Sequence, residues 1–448
     1  MNKVRVIGAG LAGAEAAWQI ARLGVPVELC EMKPKRFSPA HHRNGYAELV
    51  CSNSLRSADT SNAVGLLKEE LLRLGSLIME AALATKVPAG SALAVDRERF
   101  SEYITQRIHE NPLIQVVCDE ITDLKDAEST VTVVASGPLT DGGLAEAISA
   151  LTGGRSLSFY DAAAPIVDFA SVDTDIAYFA TRYGKGNPED YLNCPMSKEE
   201  YDAFYAALIS AEEAPLKEFD AAAQKKDITV FEGCMPVEVM ARRGYDTLRY
   251  GPMKPVGLPH PETGREAYAV VQLRRENAEG TMYNLVGFQT HLTFGEQKRV
   301  FSMIPGLRNA EFFRYGVMHR NTYLSSPGIL SADYSLRTLP NLYFAGQMTG
   351  VEGYVESASS GFVAGINAAR RTLGLEPLIF SSKTVIGSLA RYVSEGGAGA
   401  FQPMNANFGI IAPLEKKVKG GKKFRNLEYA ARSLALIDGM SSVEFLSH

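Results

Sequence analysis

Apolar and polar positions change period twice within the first thirty residues of this chain. A short apolar run covers 3–7, small and apolar residues recur at helical spacing from about 12 to 23, and a second apolar run covers 25–31. That order predicts a strand, a glycine turn, a helix and a second strand. An amphipathic helix is predicted from about Ala63 to Ala84, and "DRERFSEYITQRI" (96–108) returns to helical spacing after a loop. "VTVVASGP" (131–138) reads as an apolar strand ending at small residues and Gly137. Residues 341–374 repeat the opening logic: a strand to Gly346, a turn holding Gly350 and Gly353, then a long helix with small residues at Ala358, Gly361, Gly365 and Ala368. From about Ser171 to Gly316 the texture differs, with aromatic-rich helices ("YDAFYAALISAEE") and alternating strands ("AYAVVQLRRE", "TMYNLVGFQTHL"). The expected layout is one domain in two segments, 1–170 and 317–448, around an inserted α+β domain at 171–316.

Composition narrows the class. At 448 residues, 46% hydrophobic and 22% charged, the chain is globular and too long for one ordinary core. The first strand pattern starts at Lys3, leaving no room for a signal peptide, and no apolar run approaches a membrane span. Five cysteines (30, 51, 118, 194, 234) lack CxxC or zinc-ligand spacing. They read as reduced thiols, so a cytoplasmic protein without metal or membrane is expected, and no obligate protein partner is indicated. A net charge of -5 does not advertise a nucleic-acid binder, so RNA contact has to rest on local basic patches. The basic tail "EKKVKGGKKFR" (415–425) reads equally as a solvated loop or a phosphate-contacting arm, the latter favoured by Arg242, Arg243, Arg249, Lys254, Arg274 and Arg275.

The opening glycines carry the first specific chemistry. Gly8, Gly10 and Gly13 form GxGxxG between strand and helix, and Glu31 ends the second strand. Gly8 allows the tight turn, Gly10 lets the backbone approach a pyrophosphate, Gly13 lets helix and sheet pack, and Glu31 is placed for ribose hydroxyls. The cradle is therefore expected from Gly8, Ala9, Gly10, Leu11, Ala12, Gly13 and Glu31. A second helix N-terminus after Gly346 suits an extended dinucleotide whose flavin end needs its own anchor. The early-plus-late arrangement resembles the Rossmann-like, two-segment FAD domain of glutathione-reductase-type flavoproteins, with Gln347 where that family usually has an acid. No second GxGxxG follows a strand, so a nicotinamide reductant is expected to visit a surface groove.

Two thiols stand apart. Cys234, in "FEGCMPVEVMARRGY", precedes a short helical pattern with Val237, Met240 and Ala241 on one face, and a thiol there meets the positive end of a helix. Cys51 sits in "ELVCSNSLRS", a strand-like approach to a polar turn. Cys30 and Cys118 read as buried small hydrophobes and Cys194 as structural; a redox disulfide is the alternative.

Taken together, "VIGAGLAG", "VCSNS", "DYLNCPM", "GCMPVEVMARRG", "GPMKPVGL", "GVMHRNTYL", "GVEGYVESA" and "FQPMNAN" resemble the folate- and FAD-dependent tRNA (uracil-5-)-methyltransferases from end to end. A sister flavoprotein family that modifies wobble uridine shares the FAD motifs but lacks the paired "CSNS" and "GCMPVE" segments. The resemblance implies that Cys234 adds to C6 of uracil, making C5 nucleophilic, and that Cys51 takes the C5 proton as general base. It implies 5,10-methylenetetrahydrofolate as one-carbon donor, FAD recharged by NADH or NADPH, and the T-arm of tRNA as partner, with the T-loop uridine drawn from its stack and converted to 5-methyluridine. Gln347, Glu352 and Tyr354 fall in the late turn, Glu352 and Tyr354 resembling family residues near flavin and folate. Phe294 and Phe408 stand where tryptophan is expected at 294 and where 408 departs similarly; each reads equally as a stacking residue or as core. His319 is left outside the catalytic set. The competing readings are the same chemistry on a ribosomal uridine, a plain flavin oxidoreductase, and a non-catalytic RNA-binding flavoprotein.

Overall fold

The computed structural model describes residues 3–154, 156–162, 164–214, 235–277, 279–316, 318–396, 401–416, 418 and 421–440. Its first sheet has six strands in the order Ser335–Leu336, Leu339–Phe344, Thr132–Val134, Val4–Ile7, Val27–Glu31, Ile114–Cys118. All neighbours run parallel except the outermost pair, Ser335–Leu336 with Leu339–Phe344. The first strand, Val4–Ile7, thus lies between Val27–Glu31 and the strand of "VTVVASGP", and the late strand joins on the far side of the latter. Strands buried on both faces need continuous apolar residues, which Val4, Val6, Val133, Val134, Leu342 and Phe344 supply.

Two helices pack tightly beside this sheet. Leu11–Arg22 crosses Tyr354–Thr372 so closely that a Cβ at Gly361 would lie 2.1 Å from the Ala12 carbonyl oxygen, and one at Gly365 2.6 Å from that of Ala16. The small residues of the late helix are therefore a packing surface. The expected single helix from 63 to 84 is two, Ala63–Leu74 and Leu77–Ala84. Gly75 ends the first in a left-handed conformation (φ +82°), and Ser76 caps the second by accepting the Met79 N–H.

Buried carboxylates fasten these helices. Glu15 accepts Leu77 and Ile78 N–H and the Ser76 hydroxyl at the start of Leu77–Ala84. Glu70 does the same for Val385 and Ile386 and accepts the Ser433 hydroxyl, tying three helices together. Part of the tail expected as a loop or arm is instead helical: Gly421–Gly439 forms a helix packed on Ala63–Leu74, with Asn426 donating to Ser61 O.

The second sheet is antiparallel, in the order Tyr178–Phe179, Tyr191–Met196, Ala269–Arg275, Met282–Leu285, Ile166–Asp168, Phe312–Arg314. A separate core including Leu192, Cys194, Tyr201, Phe204, Phe288 and Phe301 sits against it. The chain passes between the two cores along Ser156–Ala162 and Met318–Leu324, which pair antiparallel. Among the described residues no helix is long and apolar enough to cross a membrane, and no group of His, Cys, Asp and Glu could hold a metal ion.

Candidate active site

The glycine turn has the geometry its spacing implies. Gly8 sits at φ +96°, and a Cβ at Gly13 would fall 1.8 Å from the Gly8 carbonyl oxygen, so helix and turn touch. Gly10 is the N-cap of Leu11–Arg22, makes no side-chain cap and has open space where a Cβ would be. With no acid in the first turn either, the helix's N-terminal amides are left to whatever lies in front of them.

What lies there is a cavity of about 510 Å³, within the span of small-molecule sites. Gly8, Gly10, Leu11, Ala12 and Glu31 line one part of it, and Gly346, Gln347, Glu352 and Tyr354 another. Ala9 is buried behind the turn, where its N–H donates to Glu31 Oε2 (2.8 Å), while Glu31 Oε1 accepts the Lys33 N–H (3.0 Å). The carboxylate is thus fixed at the strand end with lone pairs left for hydroxyl donors. At the late turn Gln347 Nε2 donates to Glu352 Oε2 (2.6 Å), so the amide found in place of an acid orients the neighbouring carboxylate. Asn284 Nδ2 is buried on the cavity wall without a hydrogen-bond partner among the described residues. An uncapped helix start, open space at Gly10, a fixed acid and an orphaned donor are what FAD needs: N–H groups for the pyrophosphate, a carboxylate for ribose, a donor for a ring carbonyl.

Cys51 lies on the same wall. Its N–H donates to Tyr354 Oη (2.8 Å), as does that of Ser52 (3.3 Å), and its Sγ lies 2.8 Å from the same oxygen. Burial and the adjacent sulfur raise the Tyr354 phenol well above its ordinary pKa, so it stays protonated. Three arginines grip the surrounding loop. Arg97 donates to Leu49 O (2.8 Å) and to Glu276, Arg314 to Val50 O (3.0 Å), and Arg274 to Ser52 Oγ (2.9 Å) and Asn53 Oδ1 (3.2 Å). Arg314 is pushed down to about 10 by burial and then by Arg97. The loop is thus held from both cores and faced by positive charge.

The other candidates distribute as follows. Cys234 lies outside the described residues; after it comes the helix Val237–Arg242, with Val237 and Ala241 buried and Met240 half-buried. The Val237 N–H donates to Gln289 O (2.7 Å), and Gln289 lines the cavity. Cys30 and Cys194 are buried, their thiols pushed up to about 11 and about 12 by burial, whereas Cys118 is half-buried and donates to Lys33 O (3.2 Å). Phe294 is 57% exposed and stacks on Tyr315 (5.1 Å), so it is not core, while Phe408 is partly buried on Tyr429 (5.5 Å). His319 pairs with Asp161 in the connecting ladder. Of the basic residues, Arg274 faces the Cys51 loop, and Arg242 and Arg249 are engaged by Glu213 and Asp246. Arg97, Arg314 and Asn284 escape sequence reasoning, because nothing local marks a side chain whose partner lies on another element.

Comparison with known proteins adds an independent line. The family model described as Glucose inhibited division protein A matches residues 3–376. A protein of Acetivibrio thermocellus, named methylenetetrahydrofolate--tRNA-(uracil-5-)-methyltransferase TrmFO, is 58% identical over 98% of both chains. One of the same name from Heliobacterium modesticaldum is 59% identical over 97% of both. The solved structure of Aquifex aeolicus GidA shares the fold, with a TM-score of 0.70 at 17% identity, covering 99% of this chain and 74% of that one. With its cofactor cradle, its Cys51 loop and its end-to-end likeness to these relatives, the chain belongs to the TrmFO family of methylenetetrahydrofolate–tRNA-(uracil-5-)-methyltransferases.

Proposed function

We propose that this chain methylates C5 of the T-loop uridine of tRNA, giving 5-methyluridine, through a covalent adduct between Cys234 and C6 of the base. The relatives' names supply the methyl source, the RNA class and the ring position. The observation that carries the reading is Cys51, hydrogen-bonded to Tyr354 on the wall of the cavity that also holds the glycine cradle and the late turn. We assign 1–170 and 317–448 to the cofactor, except the strand Ile166–Asp168 that joins the second sheet, and 171–316 to the RNA.

Bound FAD, recharged by NADH or NADPH, supplies the reducing equivalents that bring the one-carbon unit of 5,10-methylenetetrahydrofolate to the methyl level. The rest falls to the chain. The Cys234 thiolate attacks C6, the electron pair passes to C5 and the O4 enolate, and C5 becomes the nucleophile. After the carbon is delivered, Cys51 removes the C5 proton, and expulsion of the Cys234 thiolate restores the ring. Tyr354, already bonded to the Cys51 sulfur and backbone, holds that base in place. Support for a shared site comes from Val237, three residues beyond Cys234, whose N–H is bonded to the cavity-wall residue Gln289.

The test is covalent trapping by tRNA carrying 5-fluorouridine in the T-loop, with folate and NADPH present. Wild type is expected to form a stable adduct and Cys234→Ala none; persistent adduct in Cys234→Ala removes that residue from the nucleophile role. Nucleoside analysis of tRNA and rRNA from a deletion strain reports the target, and 5-methyluridine lost from rRNA alone overturns the assignment to tRNA.

A further inference from the structure

Away from the cavity, one exposed ring is mounted with unusual care. Tyr183 is 60% exposed, yet its backbone sits at φ +58°, ψ +25°, a left-handed conformation that side chains other than glycine, asparagine and aspartate rarely adopt. Such an outlier persists only where its surroundings impose it. Here they do. The Tyr183 N–H donates to Gly257 O (2.9 Å), and the preceding Arg182 donates to Val256 O, Lys254 O (2.9 Å) and Gln272 Oε1 (3.2 Å). The ring rests on Gly257, where a Cβ would come within 2.5 Å of it. That side of the ring therefore abuts backbone without a side chain, and most of the ring remains in solvent.

The surroundings carry exposed lysines from distant parts of the chain. Lys185 is exposed in the same loop, and that loop is tied to the turn before the strand Ala92–Val95 by the Gly90 N–H, which donates to Asp190 Oδ2 (2.7 Å). Asp59 lies within electrostatic range of both Lys185 and Lys423, so two lysines far apart in sequence approach one carboxylate. Lys423 opens the terminal helix together with exposed Lys422, Phe424 and Arg425. Asp59 follows the Cys51–Arg56 stretch, most of which lines the cavity, so the carboxylate that both lysines approach lies about three residues from the candidate active site. The acids beside it are Asp59, Glu189, Asp190 and Glu266, of which Asp190 accepts the Gly90 N–H and Glu266 the Gly257 N–H.

An exposed, rigid aromatic ring with exposed lysines in its neighbourhood offers what single-stranded RNA requires: a π-face for an unpaired base and cations for adjoining phosphates. We infer that Tyr183 is a stacking platform for an unpaired nucleotide of the RNA substrate, with Lys185 and Lys423 holding the adjoining phosphates. This rests on the reading of the chain as a tRNA-modifying enzyme. It adds a docking point outside the reaction cavity. It also gives the basic tail a role as part of a helix instead of a free arm.

The test uses full-length holoenzyme and an unmodified tRNA transcript at fixed salt. Tyr183→Ala is expected to weaken the tRNA Kd about tenfold, as loss of one base–aromatic stack does elsewhere, with FAD content and the KM for methylenetetrahydrofolate unchanged. Tyr183→Trp should retain affinity, and its fluorescence, above the Trp18 background of wild type, should be quenched by tRNA. Tyr183→Gly relieves the backbone and should melt no lower than wild type while still losing affinity, which separates a docking role from a folding role. Lys185→Ala should reduce the slope of log Kd against log salt by about 0.7 to 0.9, the value of one phosphate contact. Unchanged tRNA affinity in both Tyr183→Ala and Tyr183→Gly overturns the inference. If wild type itself binds no tRNA, it is the proposed function that falls.

Discussion

Replacing Tyr354 with phenylalanine removes one oxygen and leaves the ring, so the consequence can be worked from three contacts. A phenol oxygen has two lone pairs and one hydrogen. The N–H groups of Cys51 (2.8 Å) and Ser52 (3.3 Å) take the lone pairs, which leaves the hydroxyl proton to donate to Cys51 Sγ at 2.8 Å. The raised phenol pKa keeps that proton on oxygen. A hydrogen bond to a charged acceptor contributes about 1.5–3 kcal/mol, so its loss should cut the thiolate population by about tenfold to a hundredfold. The Cys51 and Ser52 N–H groups also lose their acceptor, at about 1 kcal/mol each because the cavity admits water, and Tm should fall by no more than about 4–8 °C. The assay is peptide-resolved iodoacetamide alkylation near neutral pH, where buried Cys30 and Cys194 serve as unreactive internal controls. Methylation should fall in parallel with Cys51 labelling. Equal labelling of Cys51 in wild type and Tyr354→Phe, with FAD retained in both, would refute the argument that the phenol donates to the sulfur.

Two glycines of the cradle should fail in different ways. A methyl at Gly10 meets open space and φ of -70°, so Gly10→Ala should fold with unchanged apoprotein Tm yet lose FAD, whereas Gly13→Ala, pressed to 1.8 Å from Gly8 O, should lose both; FAD absorbance per chain and thermal melts of apoprotein decide. Glu70, buried and pushed up to about 7, has a folded pKa above its unfolded value of about 4.3. Its contribution is therefore full at low pH and is lost as pH rises through about 7, so the Tm of wild type minus that of Glu70→Gln should fall between about pH 4.5 and 7. A flat difference across that window would show that Glu70 carries the same charge folded and unfolded.

Local signals reached different depths here. The turn at Gly8 to Gly13 was legible because a tight turn, a close approach and a helix start each demand a particular residue within six positions. The break at Gly75–Ser76 was equally local, a C-cap glycine followed by an N-cap serine, and the amphipathic period across it masked both. The terminal helix was missed for a related reason: Gly420, Gly421 and a run of lysines suggest a loop, but the chain beyond buries Asn426, Ala430, Ser433 and Ile437 at helical spacing. Phe294 shows the opposite limit, since an aromatic in an amphipathic helix gives no local sign of facing solvent.

By itself the sequence determined the nucleotide-binding unit, the presence of a second anchor late in the chain, and the two thiols set apart from the rest. Those are properties of short segments, where backbone conformation and residue type are bound together. Only the tertiary structure decided that Tyr354, 303 positions from Cys51, would place its hydroxyl on that sulfur. It likewise decided that Arg97, Arg274 and Arg314, from different elements, would close around one loop. Contacts of that kind are fixed by how two cores pack against each other, and no short stretch of residues encodes them.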